Sequence, residues 1–271
     1  MLFYNNELIM RIIRKNYLLL GLCMLGFIPL LTAQFNPATP LSGKEQTKDY
    51  IKQQLLYPQE ALDAGRSGLV VVAFRLDEEG NGSDYRIKES FSEAANPQAL
   101  DLVRRILWSP AHENGFPVAS DMEYAVEYNV KAYKRYWKKR ERPTVPLTLE
   151  ADTGYRIYDH YHLEEAAKPY FADGSSMGRY LLTNLKYPES AKAAEISGTV
   201  RLDFVVEPDG SVSNIVVAQS VGGGCDNEAI RLMEATQWIP AVKNGQYVRS
   251  RNEQEITFNF GARNYLDGNA Y

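Results

Sequence analysis

Slid along itself by 130 positions, the sequence repeats without a gap: 24 of the 81 positions in 50–130 are identical to their counterparts in 180–260, where chance at ordinary composition gives about one in sixteen. Tyr57-Pro58 falls on Tyr187-Pro188, Ala61 on Ala191, Gly68 on Gly198, Phe74 on Phe204 and Gly80 on Gly210. Ser90 falls on Ser220, Ala99 on Ala229, Trp108 on Trp238, Pro110-Ala111 on Pro240-Ala241, Asn114-Gly115 on Asn244-Gly245 and Val118 on Val248. A chain of 271 residues built this way folds as two small units of one design, not as one large domain. With 45% apolar and 24% charged residues, each unit can bury a core, which excludes disorder, collagen and coiled coil for the bulk of the chain.

Each unit reads from period and punctuation. Lys44 to Leu56 has helical spacing, and Tyr57-Pro58 restarts a short helix because proline suits a first turn. Gly178 to Lys186 and Tyr187-Pro188 are the counterparts. Val70, Val72, Phe74 and Leu76 alternate as a half-buried strand, matched by Val200, Leu202, Phe204 and Val206. Asp77-Glu78-Glu79-Gly80 and Glu207-Pro208-Asp209-Gly210 supply glycine for a hairpin turn, and 83–90 and 213–220 return as the second strand. Asn96-Pro97 and Asp226 stand as N-caps of helices running to Leu107 and Gln237. Last strands carry Tyr124, Val126, Tyr128 and Val130 in one unit and Ile256, Phe258 and Phe260 in the other. The order implies an α+β fold: two tandem small domains, each with two helices packed on a three-stranded antiparallel sheet. Trp108 and Trp238 fill the seams between helix and sheet. The divisions expected are 1–33 as signal or anchor, 34–130 as first unit with lead-in, 131–179 as linker, 180–260 as second unit and 261–271 as tail.

Arg11, Arg14 and Lys15 precede an apolar run of 15 residues, Tyr17 to Leu31, and Ala33-Gln34 opens a polar stretch. That is the form of an export signal cut after Ala33. A spanning helix usually needs about 20 apolar residues, and Pro29 interrupts the run, so a retained anchor is the alternative. Met10 is the more usual start for such a signal, and Leu22 before Cys23 is too bulky for a lipidation site. Export places the mature chain outside the cytoplasm, in an oxidising compartment, with 27 basic and 33 acidic residues, a charge of -6, and with the single thiol of Cys225.

The formal charge of the whole chain is -4, which argues against nucleic acid as a partner, since phosphate needs a cationic face. The charge is uneven: 50–130 carries -6, 180–260 carries -3 and 131–179 carries +3. The stretch 131–142 holds seven basic residues interleaved with Tyr133, Tyr136 and Trp137. In an exported chain it reads as a solvated continuation of the last strand, with an acidic surface or anionic lipid as the alternative. Arg142-Pro143 to Leu149 is a hinge.

Tyr-Pro-x-x-Ala, Gly-x-Val-x-x-x-Phe, Asp/Glu-x-x-Gly, a strand ending in Ser, and a helix followed by Trp-x-Pro-Ala with Gly and Val beyond are present in both units. This pattern resembles the C-terminal domain of TonB, the periplasmic energy transducer of bacteria with two membranes. Lys168-Pro169 through Tyr187-Pro188 is similar to the lead-in common before that domain. The resemblance implies a last strand with an open edge that pairs with a short extended segment, the TonB box, of an outer-membrane receptor. It assigns partner contact to Tyr57, Pro58, Tyr187 and Pro188 and to the strands Tyr124, Val126, Tyr128, Val130 and Ile256, Phe258, Phe260, in TonB-dependent transmembrane transport. Two departures concern the motor proteins ExbB and ExbD, partners only if the N-terminus is a retained anchor. Residues 17–33 contain no His, Asp or Glu, and 34–49 offer sixteen residues with only Pro37 and Pro40, reaching at most about 55 Å. The alternative class is an envelope adaptor that keeps the fold without receptor coupling. Tyr57 and Tyr187 also read as core plugs, because a buried tyrosine needs only one partner for its hydroxyl.

Few residues suggest chemistry. His160-x-His162 with Asp159, Glu164 and Glu165 would point two imidazoles to one side of a strand, a spacing zinc can use, but it lies in the linker and is unrepeated. Gly222-Gly223-Gly224-Cys225-Asp226 before a helix could cradle an anion or acidify the thiol; its counterpart Ser92 to Ala95 has neither glycine nor cysteine, so the stretch reads as a flexible connection. His112 aligns with Val242. No catalytic triad, carboxylate pair or phosphate loop is present, and the expectation is a binding protein without enzymatic activity, cofactor, metal or small-molecule substrate.

Overall fold

The computed structural model describes residues 34–138 and 145–261. The signal or anchor, the end of the basic run and most of the tail lie outside the described residues.

In the first unit, helix α1 (Lys44–Gln54) and the single turn α2 (Gln59–Asp63) lead into strands β3 (Gly68–Leu76) and β4 (Gly82–Ser90), preceded by two short lead-in strands, β1 (Phe35–Asn36) and β2 (Thr39–Pro40). Helix α3 (Asn96–Arg105) follows, then β5 (Trp108–Ser109), β6 (Ala111–Glu113), β7 (Phe116–Val118), β8 (Ser120–Tyr128) and helix α4 (Val130–Trp137). The main sheet has the order β4-β3-β8, antiparallel throughout. The alternation read in the sequence sends Val70, Val72, Phe74 and Leu76 to one face, where Ala99, Leu102 and Val103 of α3 and Trp108 close the core.

The second unit repeats this. After β9 (Ile157–Tyr158) and β10 (Lys168–Tyr170) come α5 (Met177–Asn184), the turn α6 (Glu189–Ala193), β11 (Gly198–Val206), β12 (Val212–Gln219), α7 (Cys225–Glu234), β13 (Gln237–Ile239), β14 (Ala241–Lys243) and β15 (Gln246–Phe258). Its sheet is wider: β12-β11-β15-β14, with β9 joined to β15. The fold is α+β in both units, helices packed on a small antiparallel sheet.

The spatial repeat starts before the identities do. Asn114 N–H donates to the carbonyl of Gln34, Phe35 pairs with Glu113, and Thr39-Pro40 pairs with Ser109 and Trp108. One repeat length on, Val242 N–H donates to the carbonyl of Glu165, and Lys168–Tyr170 pairs with Gln237–Ile239. Glu164–Tyr170 therefore packs on the second unit as Gln34–Pro40 packs on the first.

Several local expectations are corrected. Val130 belongs to a helix, not to the last strand: Asn129 is extended and its Oδ1 accepts from Ala132 N–H, which turns the chain from strand to helix. The basic stretch is thus helical through Trp137, and its aromatic rings pack on the first unit, Tyr133 at 5.2 Å from the ring of Tyr57 and Tyr136 under the Lys52 ammonium at 5.1 Å. Helices α3 and α7 stop at Arg105 and Glu234, because the chain must straighten for β5 and β13. Asp226 is not a cap. It lies inside α7, and its carboxylate accepts from Val221 N–H at 2.9 Å and from the Ser220 hydroxyl, as Asn96 accepts from Ser90.

The two units meet through charged groups. Glu207 and Arg249, 1% and 2% exposed, form a two-point ion pair at 2.8–2.9 Å. Arg105 of the first unit donates to the same carboxylate at 2.6 Å and is itself paired with Asp101. Ser213 donates to Glu207, and Arg249 and Asn214 both donate to the carbonyl of Arg105. Leu107 N–H donates to Asn214 at 2.8 Å. Above this network Tyr50, Gln46 and Gln53 on one face of α1 line a small cleft with Val212, Ser213, Asn214 and Ile215 of β12.

Glu234 stands at the same joint. Burial and the carboxylate of Asp49, against the weaker pull of Lys52, raise its pKa from 4.5 to about 7. A raised carboxyl pKa means the folded state holds the proton more tightly, so this group's contribution is full below pH 4.5 and is lost as pH rises toward 7. Glu234→Gln is expected to match the wild type at pH 4 and to exceed its stability by about 1–3 kcal/mol at pH 8, read by urea unfolding at both pH values.

Candidate strand-binding edge

Among the described residues β8 pairs with β3 alone, over Gly68–Leu76 against Tyr128–Ser120, so its other side presents unpaired backbone groups. Inward positions alternate with outward ones. Tyr124 is half-buried and Val126 and Tyr128 are buried, while Asp121, Glu123, Ala125 and Glu127 are exposed. The outward charges keep such an edge from pairing indiscriminately. Lys88 and Arg75 hold Glu123 and Asp121 at 2.6 and 3.1 Å.

Beside this edge runs a groove of about 430 Å3 between α1 and α4. Ile51 and Leu55 form one wall, Ala132, Tyr133 and Tyr136 the other, and Tyr124, Ala125 and Glu127 the floor, with Lys48 and Lys52 at the rim. Helix α1 therefore faces the groove on one side and the second unit on the other.

The Tyr-Pro corners lie beneath the edges. Tyr57 and Tyr187 are buried, and their hydroxyls donate to the carbonyls of Arg66 and Ile196. Tyr57 meets Tyr128 edge-on at 5.6 Å, and Tyr187 meets Phe258 at 5.8 Å. Each ring braces the end of the last strand from inside, and Pro58 and Pro188 start α2 and α6. In the second unit Ile256 and Phe258 are buried and inward-facing, as Val126 and Tyr128 are. Phe260 has left the strand like Val130: their N–H groups donate to Ser197 and Ser67.

The other sequence candidates do not assemble. His160–His162 is a 3-10 turn rather than a strand, so the side-by-side imidazoles do not form, and Glu164 spends its carboxylate on the N–H groups of Asn244 and Gly245. Among the described residues no three His, Cys, Asp or Glu side chains are grouped to hold a metal ion. Gly222, Gly223 and Gly224 all have positive φ, and Gly223 lies where an added Cβ would meet Ile196 at 2.6 Å, so the stretch is a packed turn. Burial pushes the Cys225 thiol up, the opposite of activation. His112 faces the carbonyl of Pro110 at 3.1 Å.

Sequence reasoning passed over the groove walls and the joint. Its signals were present: β12 is apolar on both faces at Val212, Ile215, Val216 and Val217, where β4 has Gly82, Tyr85, Arg86 and Ile87, and Arg249 stands where the first unit has Ala119.

The first unit is thus a small α+β module with one open strand edge beside an apolar groove, a geometry that offers backbone groups for pairing with an extended chain segment. Residues 53–130 and 183–260 each match the family Gram-negative bacterial TonB protein C-terminal. Together they make up more than half of the chain, and the chain belongs to this family. The solution NMR structure of Pseudomonas aeruginosa TonB CTD is similar at 24% identity, covering 38% of this chain and 92% of that one, with a TM-score of 0.27. No curated protein matches. At the level of the family this ties the chain to receptor-coupled transport in the bacterial envelope, through domains that bind rather than catalyse. No helix among the described residues is long and apolar enough to cross a membrane.

Proposed function

We propose that this protein works in the periplasm as a TonB-like binder of outer-membrane receptor segments, adding a TonB-box strand to β8 in energy transduction or its modulation. The observation that carries the reading is the unpaired side of β8 lying along the groove between α1 and α4. Backbone groups of the added segment pair with Ser120–Tyr128. Alternate side chains drop toward Ile51, Leu55 and Tyr133, which supplies selectivity. Tyr57, Pro58 and Tyr128 hold the strand end in place from below, and the corresponding set Tyr187, Pro188, Ile256, Phe258 and Phe260 supports the edge of the second unit. Contact with ExbB and ExbD follows only from a membrane-retained N-terminus.

The groove wall provides the test. Ala132→Trp fills the groove with a large ring while leaving the ladder and core intact. Anisotropy of a labelled synthetic TonB-box peptide titrated with the full chain is expected to show at least tenfold weaker binding for this variant. Equal affinity places the binding surface elsewhere. An envelope adaptor without receptor coupling binds the peptide in neither form.

A further inference from the structure

We propose that the linker occupies the start of the second unit's edge, at Tyr247–Ser250, and with the turn packed after it keeps a partner's extended segment to the first unit. This rests on strand addition as the mode of binding.

Ser250 is paired on both sides, with Val206 of β11 and with Tyr158 of β9. The linker runs parallel to β15, Ile157 beside Arg249 and Tyr158 beside Ser250. Just before this ladder, Asp152 N–H donates to the carbonyl of Tyr247 and Tyr247 N–H donates to that of Glu150, both at 2.8 Å. Side chains fasten the added strand. Arg249 donates to the carbonyl of Tyr155 at 2.9 Å, and the Asp159 carboxylate lies 3.6 Å from the Arg251 guanidinium. The turn His160–His162 then packs beside β15, ahead of the remaining edge.

The first unit lacks what holds this strand. Ala119 and Asp121 occupy the places of Arg249 and Arg251, and Asp121 would repel Asp159. The linker is therefore matched to one edge by charge as well as by reach. A tethered strand acts at an effective concentration on the order of millimolar, enough to exclude a free segment of modest affinity. The repeat thus provides one receptor edge that is open from its first residue and one whose start the linker holds.

The experiment is a titration of the isotope-labelled full chain with a synthetic TonB-box peptide, read as stoichiometry and as amide shifts. The wild type is expected to take one equivalent, with shifts along Ser120–Tyr128 and the groove walls of α1 and α4 and none along β15. Ile157→Pro, which breaks the added ladder, and Asp159→Lys, which opposes Arg251 with a like charge, are each expected to take a second equivalent with new shifts over 251–258. Two equivalents in the wild type, or one in both variants, overturns the proposal and leaves strand addition standing. No binding by any of the three proteins overturns strand addition and this proposal with it.

Discussion

Glu207→Ala is expected to destabilise the protein by about 3–5 kcal/mol, because it strands the buried Arg249 and takes from Arg105 one of its two carboxylate partners. Arg249 is 2% exposed and takes both oxygens of Glu207, and Arg105 crosses from the first unit to the same group at 2.6 Å. Removing the anion leaves Arg249 buried without a counter-charge, and its remaining bonds to the carbonyls of Tyr155 and Arg105 do not neutralise it. Urea unfolding of the full chain measures the loss. A change below about 1 kcal/mol would mean that water reaches the cluster and the joint is open. Replacing the whole cluster, with Arg105→Met, Glu207→Leu and Arg249→Met together, is expected to cost far less than Glu207→Ala alone, since apolar groups of similar volume leave no orphan charge. The same joint holds α1, one wall of the groove, so Glu207→Ala is also expected to weaken binding of the TonB-box peptide.

Gly80→Ala and Gly210→Ala are expected to cost at least about 2 kcal/mol each. Both glycines have positive φ, 86° and 82°, and a Cβ at either would lie 2.3 Å from the carbonyl oxygen of the tryptophan that follows α3 or α7, Trp108 or Trp238. The left-handed conformation alone penalises alanine by about 1–2 kcal/mol. The contact is with backbone rather than a flexible side chain, so the turn or the tryptophan segment must shift as well. Thermal unfolding of the two single variants checks this, with similar losses in both. Gly210 is tighter still, since Val145 lies 2.9 Å from the added atom. A neutral effect at either position would mean that the turn does not touch the tryptophan segment in solution.

The repeated features were the readable ones because each answers a local demand. Alternation in Val70 to Leu76 and the paired tryptophans follow from burying one face of a sheet. Asn114-Gly115 and Asn244-Gly245 mark hairpins whose two central residues all have positive φ. What escaped was where the two units differ. Asp77 spends its carboxylate on its own turn, accepting from Glu79 and Asn81 N–H, whereas Glu207, one methylene longer, reaches out to Arg249 and Arg105. In sequence the two are aligned acidic turn residues and look alike. The strand-to-helix switch at Asn129 was hidden because Val130 continues the apolar alternation, and only the cap reveals the end of the strand. The His-x-His spacing, set aside in the sequence because it is unrepeated, falls in a 3-10 turn, and such a spacing has meaning only once the backbone is extended. The groove could not be read from one element, because its walls come from α1 and α4, separated by most of the first unit.

Amide hydrogen exchange along β8 of the full chain, with and without a synthetic TonB-box peptide, tests the central claim most directly. Added-strand pairing predicts slower exchange in alternate amides of Ser120–Tyr128 when peptide is present, with no change along β4, the opposite edge of the same sheet. Unchanged exchange at β8 under saturating peptide, or protection appearing at β4 instead, would contradict it.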